Sequence, residues 1–154
     1  MNAYLTEDDV NDAVVEWLVT KEGCKKSKIK TKKGKERGVD IRARLGTGYF
    51  LIECKCDISP KRYEKPPSGI ESNFNYVLGQ IITRMNVETN LYKYGIGVPS
   101  CYKNKFLTRL PWQVCKKLKI HLLFVDNKKR VECFTWKQIK EKQQNSKNAI
   151  THAF

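Results

Sequence analysis

The sequence predicts a single α/β domain, and three observations support that prediction. An amphipathic helical pattern opens the chain, two apolar strand-like segments follow around a pair of glycines, and a buried strand pattern returns at residues 120–126. The 154 residues are the usual size of one domain and can bury a core. We therefore expect one domain over 1–154, with a core at about 5–136 and a polar, helical tail over 137–154.

The first element is a helix over residues 6–23. Thr6 can cap it together with Asp9, three residues later, which is the spacing of a capping box. Gly23 marks its end. Apolar residues recur at helical spacing and predict the buried stripe, which consists of Val10, Ala13, Val14, Trp17 and Leu18.

Three strands are expected next. Residues 24–31 have the pattern of a polar edge strand, and 32–37 form a basic loop. Residues 39–45 and 49–56 then predict two apolar strands. Gly46-Thr47-Gly48 joins them as a three-residue hairpin connection.

The second half of the chain alternates loop, helix and strand. Residues 57–72 hold three prolines and predict a long loop. The remaining segments predict a helix at 74–93, a short strand at 94–99, a helix over 103–120 that restarts at Pro111, and strands at 120–126 and 130–134.

Charge is unevenly distributed along the chain. The net charge is +14, and residues 21–37 alone hold nine basic and two acidic side chains. Clustered lysine and arginine favour a polyanionic partner, because neutralised phosphates release counterions. A solvated charge run is the alternative. We expect nucleic acid, with contacts from Lys25, Lys26, Lys28, Lys30, Lys32, Lys33, Lys35, Arg37, Lys61 and Arg62.

Other classes of protein fit the sequence poorly. No apolar run reaches the roughly 20 residues that span a bilayer, and the acidic N-terminus lacks a signal-peptide pattern. We therefore expect a cytoplasmic protein without a membrane partner. Six cysteines lack framework spacing and only His121 and His152 could join them, so reduced core cysteines are favoured over a zinc site.

Charged residues interrupt the two apolar strands of the hairpin. Asp40 precedes the connecting glycines by six residues and Glu53 follows them by five, so antiparallel pairing brings the two carboxylates level. Lys55 lies two residues beyond Glu53 and points to the same face. Mg²⁺ prefers oxygen ligands, and the carboxylates with the backbone carbonyl of Cys54 predict a site for it. An ion-pair cluster that staples the hairpin is the alternative, although such clusters rarely stabilise more than apolar packing does.

The segments GVD at 38–40 and ECK at 53–55 resemble the motif of the PD-(D/E)xK nuclease superfamily. The resemblance spans about residues 5–125 and is nearest to small members of the Holliday-junction-resolvase type. It implies a restriction-endonuclease-like αβββαβ core, with a central mixed sheet flanked by helices, and here a C-terminal helix and extra strands. It also implies Mg²⁺-dependent hydrolysis of DNA, with Mn²⁺ as a substitute, the two carboxylates as metal ligands and Lys55 as the catalytic lysine.

Some positions depart from the motif or leave a choice open. Val39 replaces the proline that names the motif. Members often carry an acidic metal ligand on the first helix, and here either Asp12 or Glu16 fits. Members also often carry a glutamine on the helix after the lysine strand. Gln80 matches it, with Gly79 beside it to allow close approach to the hairpin.

Three functions follow from these observations. The first is a metal-dependent DNA endonuclease. The alternative is a DNA-binding module that has the nuclease fold but cleaves weakly or needs a partner. The third is a toxin-like or structural protein whose basic surface meets an acidic partner. The expected partners are DNA and, as an open alternative, a second copy of the chain in a homodimer.

Overall fold

The computed structural model describes residues 5–56 and 66–152. Within these residues the chain forms a six-stranded mixed open sheet and five α-helices, so the α/β prediction is confirmed. The strands are β1 (Ile29–Thr31), β2 (Ile41–Leu45), β3 (Gly48–Cys54), β4 (Tyr92–Pro99), β5 (Ile120–Val125) and β6 (Val131–Phe134). The helices are α1 (Glu7–Thr20), α2 (Pro66–Thr83), α3 (Lys103–Arg109), α4 (Trp112–Leu118) and α5 (Trp136–His152).

The strands lie in the sheet in the same order as in the chain. β1, β2 and β3 form an antiparallel meander, β3, β4 and β5 run parallel, and β6 pairs antiparallel with β5. In the hairpin, Leu45 pairs with Gly48. The connection is therefore Gly46 and Thr47, one residue shorter than predicted, and Gly46 has the positive φ of 59° that such tight hairpin turns favour.

Helices cover both faces of the sheet. α1 packs on one face through the predicted stripe, of which Val10, Ala13, Val14 and Leu18 are buried. The other face carries α2, α3, α4 and α5, whose buried residues form a second apolar cluster. This cluster includes Ile139, so the predicted polar tail contributes to the core. None of the helices in the described ranges is both long and apolar enough to cross a bilayer.

The N-terminus of α1 is capped as predicted. The Thr6 hydroxyl oxygen accepts a hydrogen bond from the backbone N–H of Asp9 at 3.1 Å, and the Asp9 carboxylate accepts one from the backbone N–H of Thr6 at 2.9 Å. This reciprocal pair satisfies two of the backbone donors that a helix start leaves free.

Three sequence predictions are corrected. The strand expected at 24–31 is confined to β1, because Lys26–Lys28 form a 3-10 turn. The helix expected at 74–93 is α2, which begins at Pro66, since prolines in the first turn need no hydrogen-bond acceptor for a backbone N–H. Gly79 does not approach the hairpin: a Cβ built there meets no atom within 4 Å. Residues 57–65 of the predicted loop lie outside the described residues.

Candidate active site

Two buried carboxylates lie side by side where β2 begins and β3 ends. Ile41 pairs with Ile52 in the hairpin, and the same register continued by one residue sets Asp40 opposite Glu53. Asp40 is 4% exposed and Glu53 is 0% exposed, and they are the two buried charged side chains in the described chain. The register agrees with the level placement that the sequence predicted.

Both carboxylate oxygens of Asp40 have a partner. Its Oδ2 accepts a hydrogen bond from the backbone N–H of Cys54 at 2.8 Å, which ties the carboxylate to β3. Its Oδ1 lies 3.0 Å from Nζ of Lys32, in the basic loop after β1. A buried carboxylate is tolerated when it is paired in this way, since an isolated buried charge is strongly unfavourable.

Glu53 is only half satisfied. Its Oε1 accepts a hydrogen bond from Nε of Arg84 at 3.0 Å, and Arg84 Nη2 also donates to the Gly38 carbonyl at 3.1 Å. Its Oε2 is buried and has no hydrogen-bond donor in the part of the chain that the structure describes. Burial raises the pKa of Glu53 to about 7, Arg84 opposes the rise, and the charge of Asp40 adds to it. Either a proton or a cation would satisfy this oxygen.

Lys55 lies at the end of the sheet between α1 and α2. Its backbone N–H donates to the carbonyl of Gly97 at 2.9 Å, which extends the pairing of β3 with β4. Its Nζ lies 3.6 Å from Oε2 of Glu7 and 4.6 Å from the ring centroid of Tyr76. A carboxylate of α1 and an aromatic face of α2 therefore hold the ammonium just past the end of β3.

Glu7 belongs to the same electrostatic cluster. The pKa of Lys32 is raised first by its hydrogen bond to Asp40, against the opposing effect of burial, and then by the charges of Asp40, Glu53 and Glu7. The pKa of the Cys54 thiol is raised chiefly by burial and further by the same three carboxylates. α1 thus places an acid of its first turn next to Lys55, whereas the resemblance implied Asp12 or Glu16.

Asp12 and Glu16, the two predicted helix ligands, are not brought to this cluster. Both side chains are exposed. The pKa of Lys129, in the turn between β5 and β6, is raised first by its hydrogen bond to Asp9, then by the charge of Asp9, and less by the charge of Asp12. Asp12 lies five residues after Glu7, so the two side chains project about 140° apart around the helix axis. The geometry therefore favours Glu7 as the acid that α1 contributes.

One row of α2 covers the cluster. Tyr76, Gln80 and Arg84 follow at intervals of four residues and so share one side of the helix and its C-terminal turn. Tyr76 contacts Lys55, and Arg84 contacts Glu53. Gln80 lies between Tyr76 and Arg84 along the helix and is half-buried. Its Oε1 has no hydrogen-bond donor among the described residues.

Those of the predicted basic residues that the structure describes lie before, in and after β1, an edge strand of the sheet. Lys61 and Arg62 lie outside the described residues. Lys32 is half-buried against the carboxylate, as described above. The others are exposed to solvent: Lys25, Lys26, Lys28, Lys30, Lys33, Lys35 and Arg37.

The donor set suits a hard divalent cation. Across residues 5–56 and 66–152, no three His, Cys, Asp or Glu side chains are grouped so as to hold a metal. Mg²⁺ nevertheless often takes only one or two carboxylates and completes its shell with water and substrate phosphate. Two adjacent buried carboxylates, one of them with an oxygen that lacks a donor, fit such an ion. The Cys54 carbonyl stays a predicted further ligand.

No protein-family model, curated protein or solved structure matches this chain. No relative therefore assigns a role to Glu7, Tyr76 or Arg84, the three cluster residues that the sequence analysis missed. Tyr76 and Arg84 could have been found from their four-residue spacing around Gln80, because such neighbours share a helix face. Glu7 carries no comparable signal, since the sequence does not tell which end of α1 lies over the hairpin.

We predict that Glu53→Gln stabilises the metal-free protein increasingly as the pH rises. The folded-state pKa of Glu53 is about 7, above its ordinary value of 4.5. Between these pH values Glu53 ionises in the unfolded chain while it stays protonated in the folded protein, so wild type loses stability as the pH rises. The loss amounts to up to about 3 kcal/mol, and glutamine avoids it. Urea unfolding in EDTA at pH 5 and pH 8 measures the difference.

Groups that do not interact with Glu53 cancel in this comparison, including His121, whose pKa burial lowers to about 4. The exposed Glu141→Gln is the matched control and should show no such trend. A stability difference between Glu53→Gln and wild type that is equal at pH 5 and pH 8 would contradict the prediction.

Proposed function

We propose that this protein is a metal-dependent DNA endonuclease of the PD-(D/E)xK type. The observation that carries the proposal is the buried, level pair of Asp40 and Glu53, with Lys55 two residues beyond Glu53 at the end of β3. Buried acids are often replaceable by apolar residues without loss of stability, so a pair of them is better explained by chemistry than by folding. The order α1, β1–β3, α2, β4 agrees with a restriction-endonuclease-like core and supports the assignment.

Asp40 and Glu53 would hold Mg²⁺ or Mn²⁺, with the Cys54 carbonyl as a further oxygen ligand. Such an ion, when bound, makes water a better nucleophile at neutral pH and offsets negative charge on the scissile phosphate. The protein's contribution to binding is to keep the two carboxylates adjacent and largely dry. Asp40 is anchored by the Cys54 N–H, so its position does not depend on a metal.

Lys55 would act on the scissile phosphate or on the attacking water. Its ammonium can orient the water or balance the charge that grows on the phosphate in the transition state. Glu7 and Tyr76 hold the ammonium from two sides, so little reorganisation is needed when DNA binds. Glu7 is in this view a positioning residue for Lys55.

Lys32 and Arg84 would serve both the carboxylates and the DNA. Their side chains are 26% and 34% exposed, so each reaches solvent while it contacts a buried acid. Arg84 uses Nε and Nη2 in the contacts described and Lys32 uses one, so each keeps N–H donors for a phosphate oxygen. Neutralising the carboxylates also removes a repulsion that would keep DNA away.

A DNA-binding module without efficient cleavage is the second candidate. It is favoured by one observation, that Asp40 and Glu53 each already have a cationic partner, so the cluster is neutralised without a metal. A panel of plasmid, single-stranded, flap and four-way-junction DNA with Mg²⁺, Mn²⁺ or EDTA separates the candidates. Cleavage that requires the metal supports the endonuclease, and binding without any cleavage supports the module.

We predict that Lys55→Ala abolishes most cleavage and leaves DNA affinity nearly unchanged. An interaction made chiefly in the transition state lowers the barrier without adding ground-state affinity. Cleavage should fall by about 10² or more, the scale of one preorganised electrostatic group. Single-turnover rates and DNA binding are measured on the same preparations, with the exposed Lys117→Ala as the control. A Lys55→Ala protein that cuts as fast as this control would remove Lys55 from the mechanism.

We predict that Glu7→Gln slows cleavage about tenfold or more, because a misplaced catalytic group loses much of its effect. Asp12→Asn should stay within about twofold of wild type, since the side chain points away from the cluster. Single-turnover rates under saturating DNA make the comparison, and thermal unfolding checks that both variants fold. The opposite order of rates would restore Asp12 as the α1 acid of the site.

A further inference from the structure

An exposed basic surface continues from the carboxylate pair along β2. Burial alternates along this strand: Ile41 and Ala43 are buried under α1, whereas Arg42 and Arg44 are exposed on the opposite face. Asp40 lies on that same face, because side chains alternate along a strand. Asp40, Arg42 and Arg44 therefore follow one another along this face at intervals of about 7 Å.

The neighbouring strands add to this surface. Lys30 of β1 pairs directly with Arg42 and is also exposed. A cleft of about 300 Å³ lies here, and none of its lining residues is acidic. They are Ser27, Lys28, Lys30, Arg42, Arg44 and Tyr49. We call Lys28, Lys30, Arg42, Arg44 and Tyr49 the arginine face.

An aromatic column supports the two guanidinium groups. The Arg42 and Arg44 guanidinium carbons lie 4.4 Å and 6.0 Å from the ring centroid of Tyr49. Tyr49 stacks on Tyr92 at 5.6 Å, and Tyr92 stacks on Tyr94 at 6.5 Å. The base of the column is fixed, because the Tyr94 hydroxyl oxygen accepts a hydrogen bond from the Asn86 N–H at 2.7 Å.

Neither arginine forms an ion pair with any acid in the described chain. Their donors are therefore available, and the rings beneath them restrict their motion. Guanidinium groups bind phosphate through two parallel hydrogen bonds, and a held group loses less entropy on binding than a free one. The Tyr49 ring is occupied by Arg42 and Tyr92, so it supports the arginines and does not stack on bases.

We propose that the arginine face binds the sugar-phosphate backbone of DNA and leads it to Asp40 and Glu53. The inference rests on the proposed function, which supplies DNA as the partner. A straight row of cations that ends at the carboxylate pair suits a linear polyanion better than it suits a compact acidic protein. Binding of this kind is independent of base sequence, since phosphate contacts position DNA but do not read it.

The test is DNA binding in EDTA by the Arg42→Gln/Arg44→Gln double variant. The probes are a fluorescein-labelled 20-base-pair duplex and its single strand, and the tighter-binding one is used throughout. Fluorescence anisotropy at several salt concentrations should show at least tenfold weaker binding at low salt. The slope of log affinity against log salt should fall by about 1.5 to 2 in magnitude, as expected for two lost phosphate contacts.

Two further variants separate the arginine face from charge in general. Lys117→Gln/Lys142→Gln removes the same charge from exposed positions on α4 and α5, and it should bind within about twofold of wild type. Tyr49→Leu keeps the charge but removes the support, so it should weaken binding several-fold at an unchanged salt slope. Thermal unfolding confirms that each variant is folded.

Cleavage with Mg²⁺ is measured on the same proteins, so the two proposals can fail separately. If the arginine variant binds DNA as tightly as the lysine control, the arginine face is overturned, whether or not DNA is cut. If binding depends on the arginines but wild type cuts no DNA, the arginine face stands and the endonuclease is overturned. Wild type that binds neither probe overturns both.

Discussion

The pairing of β2 with β3 determines where the residues of the site lie. Ile41 opposite Ile52 places both side chains under α1, in the apolar cluster on that face. The alternate positions, Asp40 and Glu53, then have to share the other face. Because the side-chain period is two, a slip of one residue would bury an acid under α1 and expose an isoleucine. Apolar packing under α1 therefore holds the carboxylate pair together.

The acids and bases around Asp40 and Glu53 are equal in number, but they do not satisfy every carboxylate oxygen. Three acids, Glu7, Asp40 and Glu53, are matched by three bases, Lys32, Lys55 and Arg84. The balance lets two carboxylates remain buried in a folded protein. Glu53 is the exception, since one of its oxygens has no donor among the described residues and burial raises its pKa to about 7. The carboxylate oxygen that lacks a donor is thus the one to which a cation would bind.

The parts of the fold that depend on local chemistry could be predicted from the sequence. The Thr6–Asp9 cap, the α1 stripe and the two hairpin strands follow from spacing within a few residues. The level placement of Asp40 and Glu53 follows in the same way, from counting residues on either side of the turn. β5 was also recognisable, because a largely apolar run between turn residues is typical of a buried strand, and β6 follows it after the turn at Asn127 and Lys128.

The parts that depend on packing between distant elements could not be predicted. The sequence pattern predicts Tyr92 near the end of a helix, but Tyr92 begins β4 and pairs with Tyr49 of β3. The prolines predict a loop at Pro66, but α2 begins there, because a helix tolerates proline in its first turn. Glu7 enters the site only because of the direction in which α1 crosses the sheet. The arginine face was not predicted for a similar reason, since Tyr49 under Arg42 belongs to β3, and Tyr92 and Tyr94, which extend the stack, belong to β4.

Titration of Mn²⁺ into the protein by calorimetry tests most directly whether the hairpin carboxylates form a metal site. Wild type should bind one ion per chain, and Asp12→Asn, which changes an exposed acid of α1, should bind it equally well. Asp40→Asn and Glu53→Gln should each lose that binding, because either change removes one of two shared ligands. Mn²⁺ binding that is undiminished in both hairpin variants would contradict the site.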